Sequence, residues 1–173
     1  MSNVEISEML RYAKYPRETG LVIFINDRFN YQLREKHVLR HTLAMQTDGT
    51  TYLTVELDMS LPLDELGYRG TLRTIYTKID AGSVFKNAFV IPDDIADEIV
   101  TKVYIRDKCK DSLKLSIEMD EFELITSDGV TSVVFNEKSL FWKGKVTLRK
   151  LNSPLPVDRL NLTSITLNNT LEI

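Results

Sequence analysis

Two stretches of this chain repeat one short pattern, and that repetition constrains the fold more than any single residue. Leu66-Gly67-Tyr68-Arg69-Gly70-Thr71-Leu72-Arg73 and Leu140-Phe141-Trp142-Lys143-Gly144-Lys145-Val146-Thr147 share an order. Each reads Leu, a small or aromatic residue, an aromatic, a base, Gly, then an alternating strand. Each also follows a β-like run and a polar connection, at 51–57 and at 130–135. Similarity at this distance points to one building block used twice. Such a duplicated β module, with no catalytic constellation attached, is more at home in a scaffold than in an enzyme.

The 173 residues fit one domain, or two small units sharing a core. A formal net charge of -3 gives no global electrostatic footprint for nucleic acid or an anionic membrane. No window approaches the roughly 18 apolar residues of a membrane span, and Met1-Ser2-Asn3-Val4-Glu5 does not read as a signal peptide. A reducing cytoplasm is therefore the expected compartment, and the sequons at Asn161 and Asn168 read as ordinary strand and turn residues. The single Cys109 excludes an internal disulfide and a cysteine-based zinc site. The neighbouring bases Arg106, Lys108 and Lys110 could activate it, although an incidental thiol in a polar turn is the simpler reading.

Residues 1–15 have helical spacing, with Ile6, Met9, Leu10 and Ala13 on one side and Pro16 as terminator. Leu21-Val22-Ile23-Phe24-Ile25 is a continuous apolar run and predicts a buried strand closed by Asn26-Asp27. Strands are also expected at about 37–46, 50–58 and 70–80, with a hairpin turn at Thr47-Asp48-Gly49. Pro92-Asp93-Asp94-Ile95 opens a helix whose apolar stripe is Ile95, Ile99 and Val103, flanked by Ala96 and Val100. Further strands are expected at 112–118, 121–126, 130–136, 144–151 and 159–172, with Ser127-Asp128-Gly129 as a second hairpin turn. Ser153-Pro154-Leu155-Pro156 reads as a stiff connector. The expected architecture is α+β, mainly β. It has an N-terminal helical arm (1–16), a first antiparallel β module (17–90), and a helix plus second β module (91–173), sandwich- or barrel-like.

Candidate chemistry is sparse. His37 and His41 could ligate a metal if they shared a helix face, but Lys36 and Arg40 would repel a cation, so a solvated or packed pair is preferred. The carboxylates Asp93, Asp94, Asp97 and Glu98 read as an acidic first helical turn. Glu118, Asp120, Glu121 and Glu123 read as the wet face of a strand rather than an acid–base pair. No phosphate loop, nucleophile elbow or Cys-His arrangement is present in the sequence. Tyr68, Arg69, Trp142 and Lys143, with Arg73, Lys145 and Arg149 on the following strands, could form a stacking and phosphate-contacting surface. The competing account places each aromatic in the core, the base in water and Gly at a bend. Nearby acids balance the bases, which favours the second account.

Leu21-Val22-Ile23-Phe24-Ile25-Asn26, Leu33-Arg34-Glu35-Lys36-His37-Val38 and Tyr68 through Asp80 together resemble a module of virion structural proteins from large tailed bacteriophages. The second half is similar to the companion module, through helix 93–105 and Phe141-Trp142-Lys143-Gly144-Lys145-Val146-Thr147-Leu148. The resemblance spans about residues 20–151 and carries no catalytic residues. This chain departs from the pattern in its helical arm and in the few glycines of its polar stretch. The resemblance implies a non-catalytic virion structural or assembly protein, in the particle or the host cytoplasm. Its partners would be other phage structural proteins or itself, with no cofactor, metal or membrane. The arm 1–15 and strand 159–173 are the expected contacts between subunits. The alternatives are a nucleic-acid-binding module using Tyr68, Arg69, Trp142 and Lys143, and an early phage protein that binds a host factor.

Overall fold

A computed structural model of the chain describes residues 3–61, 70–85 and 89–151, with side chains from Glu8 onward. In chain order the elements are α1 (Asn3–Tyr12), α2 (Arg17–Phe29), a 3-10 turn (Glu35–His37), β1 (Val38–Met45), β2 (Thr51–Leu57), β3 (Thr71–Tyr76) and β4 (Ile79–Asp80). There follow a short helix α3 (Ala81–Val84), β5 (Phe89–Ile91), α4 (Glu98–Leu113), a second 3-10 turn (Met119–Glu121), β6 (Phe122–Ser127), β7 (Val130–Phe135), β8 (Trp142–Lys143) and β9 (Lys145–Lys150). The fold is α+β. One sheet has the order β1-β2-β3, a second the order β5-β9-β7-β6, and β4 pairs with β8. Pairing is antiparallel except for the two short parallel contacts β4–β8 and β5–β9. Among the described residues no sheet closes into a barrel.

The duplication is real and larger than its sequence signature. Each unit runs helix, 3-10 turn, hairpin, glycine, strand. Asn30 and Lys114 both end their helices in the left-handed region, at φ 56. At the same constant spacing, Leu33 and Ile117 are buried, and His37 and Glu121 each accept a bond from the backbone N–H of Arg34 and Glu118. The last residue of the central strand then bonds the glycine: Leu57 N–H to Gly70 C=O (3.1 Å), Phe135 N–H to Gly144 C=O (3.0 Å). Gly70 at φ 101 and Gly144 at φ 85 occupy backbone space that other residues rarely enter. That requirement explains why glycine recurs at this point of the motif.

The hairpins form where turn chemistry places them. Asp48 Oδ1 accepts from Thr50 N–H (2.9 Å) and Gly49 takes φ 83, while Asp128 and Gly129 both take positive φ, as a two-residue turn requires. Thr51, Leu53, Val55 and Leu57 alternate inward along β2. Leu53, Val55 and Leu57 join Leu21, Ile25, Ile79, Ile105, Phe122, Val133 and Trp142 in one continuous core that spans both units. The two modules therefore share a single interior. No helix among the described residues is long and apolar enough to cross a membrane.

Four expectations are corrected. Residues 21–25 are not a strand but the middle of α2, which starts after Pro16 and buries Gly20, Leu21, Val22, Phe24 and Ile25. A helix packed on several sides has a continuous apolar run, just as a buried strand does. Asn26 does not turn the chain; its side chain brackets Leu33, accepting from Leu33 N–H (2.8 Å) and donating to Leu33 C=O (2.9 Å). The central helix opens at Glu98, because Asp97 caps it by accepting from Val100 N–H (2.9 Å). Its buried stripe is Thr101, Ile105 and Cys109, while Ile99 and Val100 are exposed. Of the strand expected at 112–118, residues 112 and 113 end α4, Lys114 is left-handed, and 114–118 join no ladder, with Leu115 and Ile117 buried. The strand expected at 159–172 and the proline connector lie outside the described residues.

The arm is not detachable either. Tyr12 and Ala13 are buried, and Tyr12 packs edge-on against Phe24 at 5.3 Å and stacks near Phe141 at 6.4 Å. Removing residues 1–15 should thus unfold the core rather than only weaken assembly. Tyr12→Ala is expected to cost about 3 kcal/mol, read as a lowered urea midpoint; an unchanged midpoint would show that α1 is a mere appendage.

Candidate functional site

The most unusual chemistry in the molecule lies at the seam between the modules. After β3 the chain passes directly onto the second unit, carrying Tyr76, Lys78 and Asp80. Strand alternation places Thr74, Tyr76 and Lys78 on the inward side, and all three are buried. Tyr76 Oη donates to Leu140 C=O (2.5 Å). Lys78, only 2% exposed, donates from Nζ to the carbonyls of Ser139 and Glu137. Ile79 N–H then donates to Phe141 C=O (2.7 Å), which starts the β4–β8 pairing.

Glu121 closes the same segment from the other side. Its Oε1 accepts from Leu140 N–H (3.2 Å) and its Oε2 from Glu118 N–H (2.8 Å). Ser139 Oγ accepts from Trp142 N–H (3.1 Å). Residues 139–142 are thus gripped by Tyr76, Lys78 and Ile79 on one side and by Glu121 on the other. Burial pulls the Lys78 ammonium down from its ordinary pKa, against the attraction of Glu121 and Glu137. Burial pushes the Glu121 carboxyl up, against its two backbone donors and Arg17. The ammonium is buried against two carbonyl oxygens of the second module, so this cluster joins the modules. Around it lie two shallow grooves, of about 520 and 430 Å³, that share Asp120, Glu137 and Lys138. Arg17 crosses from α2 to both Asp120 oxygens at 3.1 Å.

The residues singled out from sequence are placed as follows. Trp142 is 1% exposed and packs between Phe85 (5.2 Å) and Phe135 (5.9 Å), so its ring is closed to a stacking base. Lys143 is half-buried and donates to Gly49 C=O (3.0 Å), tying the first hairpin to the second module. Tyr68 and Arg69 lie outside the described residues. His37 ends a 3-10 turn and is buried, whereas His41 sits on β1 with Nδ1 3.8 Å from Glu18. They do not share a helix face, and no metal-ligand cluster occurs among the described residues. Cys109 lies in the core of α4, where burial pushes its thiol up to about 12, which leaves it inert. Asp93 and Asp94 precede α4 in a turn that Lys150 holds by donating to Asp93 C=O (3.1 Å) and Ile95 C=O. Glu121 is no wet-face carboxylate, being 3% exposed.

Lys78 was not among the sequence candidates, and Glu121 was weighed there only within a carboxylate cluster assigned to the wet face of a strand. The available signal was the inward period Thr74, Tyr76, Lys78, which puts a lysine where a core residue belongs. No family model matches the chain, and no curated protein or solved structure does.

The raised Glu121 carboxyl has a testable sign. The native state holds this proton where the unfolded chain has lost it, so its contribution is full at low pH and fades as pH rises through the folded pKa. Any stability advantage of the natural chain over Glu121→Gln should therefore shrink as pH rises from about 4 to 7, measured by urea unfolding at each pH. A difference that grew with pH would mean the carboxylate form is the one stabilised.

Proposed function

We propose that this chain is a non-catalytic structural or assembly protein of a bacteriophage virion, making contacts with copies of itself or with neighbouring virion proteins. One observation carries the reading. The segment that leaves the first module completes the second, supplying β4, Lys78 and β5 to its neighbour. A unit built to be finished by the preceding unit is a unit suited to serial assembly. Repetition multiplies one modest interface into a stable array. The resemblance of residues 20–151 to phage virion modules supports the setting, in the particle once assembled and in the host cytoplasm before that.

Virions purified on a density gradient, with protein copy number determined by mass spectrometry against the major capsid protein, test this reading. The expected result is a fixed copy number that matches a symmetric ring or shell. Abundance in infected cells with none in the particle would sink it.

A further inference from the structure

We propose that residues 152–173 of one copy pair as a strand with the outer edge of β3 in a second copy, joining chains head to tail. The inference rests on the assembly reading and names the surfaces involved. Three observations carry it.

The first is the unequal treatment of two equivalent edges. In the second module the outer edge of β9 is closed by β5, with Phe89, Val90 and Ile91 beside Leu148, Arg149 and Lys150. The corresponding positions of the first module are Thr74, Ile75 and Tyr76. Among the described residues β3 is an edge strand, and Ile75 is 52% exposed. An open edge of this kind is a template for another strand. The spacing that places β3 on β9 also places Phe89–Ile91 on Thr163–Ile165. That triplet falls within Leu160-Asn161-Leu162-Thr163-Ser164-Ile165-Thr166-Leu167, whose apolar and polar residues mostly alternate.

The second is an orphaned donor. His37 holds the position that Glu121 holds in the second module. Both of Glu121's oxygens are bonded, and Lys78, arriving on the segment after the first module, approaches the same loop. His37 Nδ1 accepts from Arg34 N–H (3.1 Å), so Nε2 carries the ring proton. That Nε2 is buried and finds no hydrogen-bond partner among the described residues. A segment arriving after a second module would bring the missing acceptor.

The third is direction. Contacts between modules run one way: Ala13 C=O accepts from Ser116 N–H (2.8 Å), Arg17 reaches Asp120, and a Cβ on Gly20 would stand 2.8 Å from the Phe141 ring. A twofold relation would repeat these contacts from the corresponding stretch of α4. There, Tyr104 stands where Gly20 makes its close approach, Thr101 is turned into the core where Arg17 reaches out, and Ile99 and Val100 are 66% and 52% exposed. A one-way relation leaves each chain with one donor end and one acceptor end, so the strand on β3 comes from another chain.

Cysteine pairing in the full chain tests this. Ile75→Cys and Ser164→Cys variants, silent alone, should form disulfide-linked heterodimers when mixed under mild oxidation. The double variant should yield a ladder of covalent oligomers. A double variant that closes on itself as a monomer, or no cross-link in either case, would overturn the proposal. Ending the chain after Leu151 should lower the self-association constant at least about tenfold in sedimentation equilibrium, with the urea midpoint showing that the fold persists. Undiminished association by a folded truncation would also overturn it. Cross-linking by a protein absent from virions would refute the assembly reading alone; presence in virions without cross-linking would refute the strand alone.

Discussion

A lysine ammonium buried among carbonyl oxygens is the constraint around which the two halves are arranged. Lys78 cannot sit at 2% exposure without acceptors, because an unpaired charge in that position would cost several kcal/mol. The carbonyls of Ser139 and Glu137 supply them, and they lie on the second module. Glu121 fixes the same loop through Leu140 N–H, so the cation and its anchor are held to one short segment. With residues 139–142 in place, Trp142 enters the core between Phe85 and Phe135, and Gly144 can turn the chain into β9. Separating the modules would expose this network and break the shared core at once.

The duplication explains why the seam is asymmetric. Equivalent positions carry different residues, His37 facing the task that Glu121 performs, and Gly20 standing where the other helix has Tyr104. Gly20 lets α2 pass against Phe141, while Tyr104 sits half-buried on a helix whose N-terminal apolar residues are exposed. The repeat is thus two units with one relation between them, first upon second. An ion pair such as Arg17–Asp120, partly open to water, contributes little to this beyond orientation.

Much of the architecture is legible in the sequence. Asp48-Gly49 and Asp128-Gly129 place both hairpins because few residues tolerate positive φ. The repeated aromatic–base–Gly element marked where each third strand begins. The reading failed where local pattern is ambiguous. Leu21 to Ile25 has no period because α2 is covered on several sides, and the same five residues would suit a buried strand. Ile95, Ile99 and Val103 make a stripe as regular as Thr101, Ile105 and Cys109, and only the position of β5 and the Asp97 cap decides which one is inward. The seam was invisible for a different reason: lysine and glutamate are read as surface residues unless a partner is known, and their partner here lies about sixty residues away for Lys78.

By itself, then, the sequence determined the turns, the strands that alternate, the α+β class and the existence of a twofold repeat, since all of these follow from backbone sterics and short-range periodicity. Tertiary structure decided which face of α4 is buried, that residues 21–25 are helical, that Cys109 and Trp142 are core, and that Lys78 and Glu121 grip one loop. Those outcomes depend on what each element meets across the core, and no local pattern of residues encodes its distant neighbour.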